Sequence, residues 1–184
     1  MESLDKEQKL YEKNVLVILA SASKHSSNRK LMELFQKLAL PYFSITILDN
    51  LETLPHFDAS LTENLPETVS DYHHLIESAD AIVICTPEYI FSIPSRLKNL
   101  MEWCVATTIF NDKPVGLITA SADGRHGHTE LKLIMSTLGA KLSEEASLLI
   151  PGIKGKFNAD DDLIDPSIMR SLEAFSKGLT NLLN

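Results

Sequence analysis

Cysteine is nearly absent: the 184 residues include two, Cys85 and Cys104. Two thiols cannot make a disulfide framework, and neither lies at metal-ligand spacing with another ligating residue. Both are expected as buried, reduced thiols, and no metal is expected. Long apolar runs are missing as well. None approaches the ~20 residues needed to cross a bilayer, so no membrane partner is expected. Met1 to Lys13 is polar and charged and lacks the apolar core of a signal peptide. It reads as a tail or a first helical turn, and a cytoplasmic location follows by default. Positive charge is short: 17 Lys and Arg against 25 Asp and Glu leave a net charge of −8, which argues against a nucleic-acid partner. It does not argue against a small anion, because clustered backbone N–H groups bind phosphate whatever the global charge. There is no GxSxG, no HExxH, no Walker loop and no GxGxxG after the first apolar run, which sets aside several hydrolase and nucleotide-binding classes.

What is present is an alternation. Val15–Ala20, Ile82–Cys85 and Val115–Thr119 are short continuous apolar runs, as expected of strands covered on both faces. Phe43–Leu48 alternates and looks nearer a sheet edge, and Leu148–Ile150 is a weaker fifth strand. Helical stripes lie between them: Leu31, Leu34, Phe35, Leu38 and Ala39; Leu97, Leu100, Met101, Cys104 and Val105; Leu131, Ile134, Met135 and Leu138; and, after Pro166, Leu172, Phe175, Leu179 and Leu182. Val69, Tyr72 and Ile76 mark a less regular helix over Val69–Ser78, and Leu51–Pro66 and Pro151–Asp162 read as loops. The order βαβαβαβαβα predicts one α/β domain over residues 1–184, with residues 1–13 as its tail. The expected architecture is three-layer and flavodoxin-like: five parallel strands in the order 2-1-3-4-5 with helices on both faces.

Ligands of such sheets bind outside the carboxyl ends of the strands, which points to three loops. Ser21–Asn28 holds four serines and an asparagine immediately before a helix. Hydroxyls and unpaired helix N-terminal amides make a phosphate cradle, or Ser26, Ser27 and Asn28 merely cap the helix. Thr86–Pro94 is stiffened by prolines and offers backbone amides to a flat polar ring, or is an ordinary turn. Ser121–His128 contains Gly124 and Gly127, which let backbone approach a ligand, or is a flexible link with solvated Arg125, His126 and His128. A phospho-receiver of the same fold would need an aspartate at the end of strand one or three; those strands end in Ala20-Ser21 and Thr86-Pro87, and Asp49 ends strand two.

Taken together, the loops resemble the NADPH-dependent FMN reductase family, which includes quinone, azo-dye and chromate reductases. Thr86-Pro87-Glu88-Tyr89, Ser92-Ile93-Pro94, Leu97-Lys98-Asn99 and Glu102-Trp103 are similar to the family pattern TPEYNxSxPxxLKNxxDW. Ser21, Ser26 and Asn28 match positions of GSxRxxSxN, and Asn111–Val115 looks like the family's lead into strand four. The similarity spans roughly Val15 to Phe157. It implies FMN as cofactor and NADPH or NADH as hydride donor. Electrons would then pass, in ping-pong order, to a small-molecule acceptor such as a quinone, an azo compound, a metal oxyanion or free flavin. It implies that Ser21, Ser26 and Asn28, with Ser23 and Ser27 in the same loop, hold the phosphate. Pro87, Glu88, Tyr89 and Ile90 would lie along the isoalloxazine, and Ser121, Asp123 and Gly124 would approach its other edge. No side chain is assigned as a catalytic acid or base, because the cofactor carries the chemistry. The helix from Ser95 to Thr107, with Trp103, is implied at the interface of a homodimer or homotetramer.

Three positions depart from the pattern: its glycine is Ala20, its arginine Ser23, and the asparagine after the tyrosine Ile90. Losing a charge-assisted phosphate bond would cost about 1.5–3 kcal/mol, or roughly one to two decades of affinity, unless Lys24 substitutes. Ser23 and Ile90 motivate an alternative, a weakly active or non-catalytic flavin- or partner-binding protein of the same fold. An electron carrier ranks lower, because a TxTGxT phosphate loop is absent. Lys24, Arg29, Arg96 and Arg125 are the candidates for reading a nicotinamide 2′-phosphate.

Overall fold

The computed structural model describes residues 13–23, 25–39, 42–158, 160 and 162–184. Lys24 and all but the last residue of the expected tail lie outside them. The elements run β1 (Asn14–Leu19), α1 (Ser27–Ala39), β2 (Ser44–Leu48), α2 (Glu67–Ser78), β3 (Ala81–Thr86), α3 (Ser95–Trp103), β4 (Val115–Ser121), α4 (Arg125–Thr137), β5 (Ser147–Pro151) and α5 (Ser167–Leu183). Every strand pair is parallel and the order is β2-β1-β3-β4-β5, the flavodoxin-like arrangement expected from the alternation. Among the described residues, no helix is long and apolar enough to cross a membrane.

The continuous apolar runs are explained by where alternate side chains go. Leu16, Ile18, Ile82, Ile84 and Leu117 face one layer, where they meet Val69 and Ile76 of α2, Leu97 and Leu100 of α3, and Leu131 and Met135 of α4. Val15, Val17, Leu19, Val83, Cys85 and Ile118 face the other, against Leu31 and Phe35 of α1 and Leu172, Phe175 and Leu179 of α5. A period-two backbone between two helical layers needs apolar residues at every position. β2 pairs on one side only and accordingly alternates in burial. In α5, Gly178 passes the turn before β5 so closely that an added Cβ would overlap the Glu145 carbonyl.

Three helix boundaries differ from the sequence reading, the first being α2, which starts at Glu67 rather than Val69. α3 ends at Trp103 rather than Thr107; Cys104 turns back to bond the Met101 carbonyl, and Val105 is exposed. α4 starts at Arg125, so the expected fourth loop shrinks to residues 122–124. The 51–66 loop carries two 3-10 turns, Leu51–Thr53 and Ala59–Leu61, and buries Leu51 and Leu54. Trp103 is a core residue of its own chain: it is 1% exposed, donates from Nε1 to the Pro55 carbonyl (2.9 Å), and packs edge-on against Phe57. Both cysteines are buried and free, and burial pushes the Cys104 thiol up to about 12 and Cys85 higher still.

Candidate active site

Above the carboxyl ends of β1, β3, β4 and β5 lies a cavity of about 660 Å³, within the roughly 300–1,000 Å³ of cofactor and small-ligand sites. Of the residues singled out in the sequence, Ser21, Ser23, Ser26, Ser27, Asn28, Pro87, Tyr89 and Ser121 are brought together on its walls. Glu88, Ile90, Asp123 and Gly124 are not on those walls.

In the β1–α1 loop one of the serines caps the helix that follows. The Ser26 hydroxyl accepts from Arg29 N–H (3.2 Å), so Ser26 is the N-cap of α1. The Ser21 hydroxyl accepts from Ser23 N–H (3.4 Å). The first amides of a helix have no partner within it, and at the mouth of α1 these belong to residues lining the cavity. The Asn28 side chain is committed elsewhere: its Nδ2 donates to the Ala120 carbonyl (3.0 Å) and its Oδ1 takes the Cys85 thiol (3.4 Å). At 4% exposure it ties α1 to β3 and β4.

Residues 89–92 form a tight turn. Tyr89 and Ser92 exchange both backbone hydrogen bonds (2.9 and 3.0 Å), and Ile90 and Phe91 between them have φ of 51° and 58°. Two successive positive φ values are the I′ pattern, for which Asn-Gly is the favoured pair. Ile90, expected along the ring, is 96% exposed and is not among the residues that line the cavity. Phe91 makes an edge contact with His126. Two carboxylates brace this hairpin against α4: Glu88 accepts from Gly127 N–H (2.7 Å) and Glu130 from Ile93 N–H (3.1 Å). The first sits at a helix N-terminus, where the helix dipole favours an acid. Gly127 makes room for it, since a Cβ there would lie 3.3 Å from the Glu88 side chain.

In the β4–α4 turn, Gly124 has φ +89°, a conformation that other residues adopt with strain. Asp123 pairs with Arg125 at 3.1 Å. The Ser121 hydroxyl donates to the Glu88 carbonyl (3.3 Å), joining this turn to the hairpin. His128 is not the solvated histidine of the sequence reading. It is 9% exposed, with Nδ1 2.8 Å from the Thr119 hydroxyl and Nε2 2.9 Å from the Ser147 hydroxyl. Burial is the main cause holding its pKa below the ordinary histidine value.

The sequence reading missed one whole wall, the turn after β5. Gly152, Ile153, Lys154 and Gly155 line the same cavity as the serines. Gly152 turns with φ +65°, its N–H donates to the Ala122 carbonyl (3.0 Å), and Ile153 is the buried anchor. The rule that placed the other three loops applies equally to the fifth strand. The weak strand signal of Leu148–Ile150 hid it.

Comparison with known proteins agrees with this geometry. The NADH:(hydroxy)cinnamate reductase subunit of Vibrio ruber is 28% identical over 184 residues, covering 93% of this chain and 91% of its own. A quinone reductase of Escherichia coli is 34% identical over 91 residues, 48% of each chain. Among solved structures, FerB, a flavoenzyme NAD(P)H:(acceptor) oxidoreductase from Paracoccus denitrificans, superposes with a TM-score of 0.75 at 26% identity, over 93% of this chain and 97% of that one. The profile of the NADPH-dependent FMN reductase family matches residues 13–154, and the chain belongs to that family.

Proposed function

We propose that this protein is an FMN-dependent NAD(P)H oxidoreductase, taking NADPH or NADH and reducing a small acceptor such as a quinone, an azo compound, a metal oxyanion or free flavin. The observation that carries the reading is one cavity with two chemically different ends. Hydroxyls and helix N-terminal amides (Ser21, Ser23, Ser26, Ser27, Asn28) suit a phosphate. Pro87 and Tyr89, with Ser121 and Ala122, suit a flat ring. When bound, FMN supplies the two-electron chemistry. The chain's part is to hold and orient it. Ser21 and Ser26 fix the shape of the cradle through their backbone hydrogen bonds. Asn28 acts as a brace through its side chain, and Glu88 and Glu130 hold the ring-side hairpin still. Asp123 and Gly124 shape the turn that carries Ser121 and Ala122, and Ile90 tips the hairpin outside the cavity.

The test is the visible spectrum of the purified protein after incubation with FMN and desalting, followed by NADPH or NADH without oxygen. A retained flavin spectrum that bleaches supports the enzyme. Retained flavin that neither nicotinamide bleaches favours the non-catalytic alternative, which the arginine-to-serine departure at Ser23 motivates. No retained flavin and no quenching of FMN fluorescence refutes the enzyme and any flavin-binding role.

The same proposal includes a cytoplasmic homodimer or homotetramer. Its support is an apolar face between α3 and α4, where Val105 and Leu133 are 64% and 69% exposed beside Met101 and Leu138. Light scattering should report more than one chain, and Leu133→Glu should reduce the mass to that of a monomer. A monomeric wild type refutes it.

A further inference from the structure

We propose that Lys154 supplies the positive charge that selects a phosphorylated ligand in the main cavity, in place of the arginine that the family pattern has at Ser23. The inference rests on the FMN reading above and concerns which residue of this chain reads the phosphate.

The first observation is position. Ser21, Ser23, Ser26, Ser27 and Asn28 line the cavity, and residues 152–155 line the same cavity, in a turn that packs beside the helix these serines lead into. Lys154 is the one lysine or arginine among the described residues that line it.

The second observation concerns the rival cations. Arg29 is paired with Asp49, and Arg96 lies 3.4 Å from Glu52. Both arginines line a neighbouring cleft that shares Ser21 and Ser23 with the cavity, together with Asp49 and Glu52, the two acids that neutralise them. Arg125 is paired with Asp123 (3.1 Å), and Lys156, two residues from Lys154, is paired with Asp165 (2.6 Å). Each of these cations is matched by a carboxylate, whereas Lys154 makes no ion pair with any described carboxylate.

The third observation is that the turn carrying it is held. Gly152 N–H bonds to the Ala122 carbonyl, Gly155 N–H to the Gly152 carbonyl (both 3.0 Å), and Ile153 is 4% exposed. A lysine on a pinned backbone, with a long flexible stem, can place a compact charge and three donors over a phosphate without a fixed approach angle. An arginine at position 23 would bring the same unit positive charge into the cavity from the serine loop.

The experiment compares FMN with riboflavin, which shares the ring and ribityl chain but lacks the phosphate. Both are titrated by fluorescence quenching into flavin-free protein. Wild type should bind FMN more tightly than riboflavin. Lys154→Ala should weaken FMN by roughly ten- to a hundredfold, leave riboflavin unchanged, and flatten the salt dependence of FMN binding. Lys154→Arg should keep most of the preference, and adding Ser23→Arg to Lys154→Ala should restore it. Unchanged FMN affinity in Lys154→Ala overturns the proposal, as does a loss of preference confined to Arg29→Ala, Arg96→Ala or Lys24→Ala. Equal losses for FMN and riboflavin also overturn it, because the lysine would then shape the turn rather than read charge. If wild type quenches neither flavin, the functional reading has failed and the proposal falls with it, an outcome distinct from any single-variant result.

Discussion

Ile90 sits where an asparagine belongs, and replacing it should make the protein more stable. An L-residue in the left-handed region costs about 1–2 kcal/mol, and a β-branched side chain is among the least suited to it. Ile90 has φ 51° and is 96% exposed, so its side chain returns almost no burial to offset the strain. Asparagine tolerates this conformation and suits the first central position of a I′ turn. Ile90→Asn should therefore raise the unfolding free energy by about 1 kcal/mol, or roughly 2–4 °C in Tm for a domain of this length. With an m-value of about 2 kcal/mol/M, the urea midpoint should rise by roughly 0.5 M. The measurement belongs on flavin-free protein, so that ligand linkage does not contribute. Ile90→Ala is the control: it removes the same exposed apolar surface but keeps a Cβ that disfavours the left-handed region, so it should gain little. If Ile90→Asn is no more stable than Ile90→Ala, backbone strain is not what position 90 carries, and the reasoning fails.

The remaining expectations concern the core. His128 and His73 both have folded pKa values below the ordinary histidine value, chiefly through burial. The unfolded chain therefore takes up protons near pH 6.5 that the folded chain refuses, and stability should fall as pH drops below that value, by at most about 1.4 kcal/mol per pH unit for each histidine. His128→Gln should show a shallower slope between pH 7 and pH 5 in urea midpoints; an unchanged slope would rule out His128 as a contributor. Gly178→Ala should destabilise by about 1–3 kcal/mol despite the better helix propensity of alanine, because its Cβ overlaps the Glu145 carbonyl; a gain in the thermal midpoint would contradict that packing. Neither thiol should react with Ellman's reagent in native protein at pH 8, and both should react in denaturant, since burial pushes both thiols far above that pH. Fast native labelling of one would place it at the surface.

The sheet was legible because β1, β3 and β4 are buried on both faces, so burial itself writes a continuous apolar run. Helix ends were harder because tertiary contacts decide them. The apolar spacing of α3 carries on through Cys104 and Val105, yet the chain turns at Cys104 and leaves Val105 in solvent. The opening of α4 contains Gly124-Arg125-His126-Gly127, which reads as a loop. Gly124 provides the left-handed entry, and the Glu88 carboxylate, 39 residues away in sequence, satisfies the Gly127 amide. His128 looked solvated because its partners, Thr119 and Ser147, come from two different strands. The serine loop, Pro87, Tyr89 and Ser121 were placed by the rule for strand ends plus the motif. Lys154 carries no motif, and only the folded turn shows that it lines the cavity.

The cavity draws its walls from the loops after four strands: Ser21 and Ser26 among others after the first, Pro87 and Tyr89 after the third, residues 120–122 at the end of the fourth and 152–155 after the fifth. During synthesis the first wall leaves the ribosome long before the last, and the Asn28 brace has nothing to hold until Cys85 and Ala120 have followed. The enclosure is therefore complete only once residue 155 has emerged and the fifth strand has joined the sheet. Cofactor capture is thus expected late in the life of the nascent chain, because the turn after β5 is among the last parts of the enclosure to emerge.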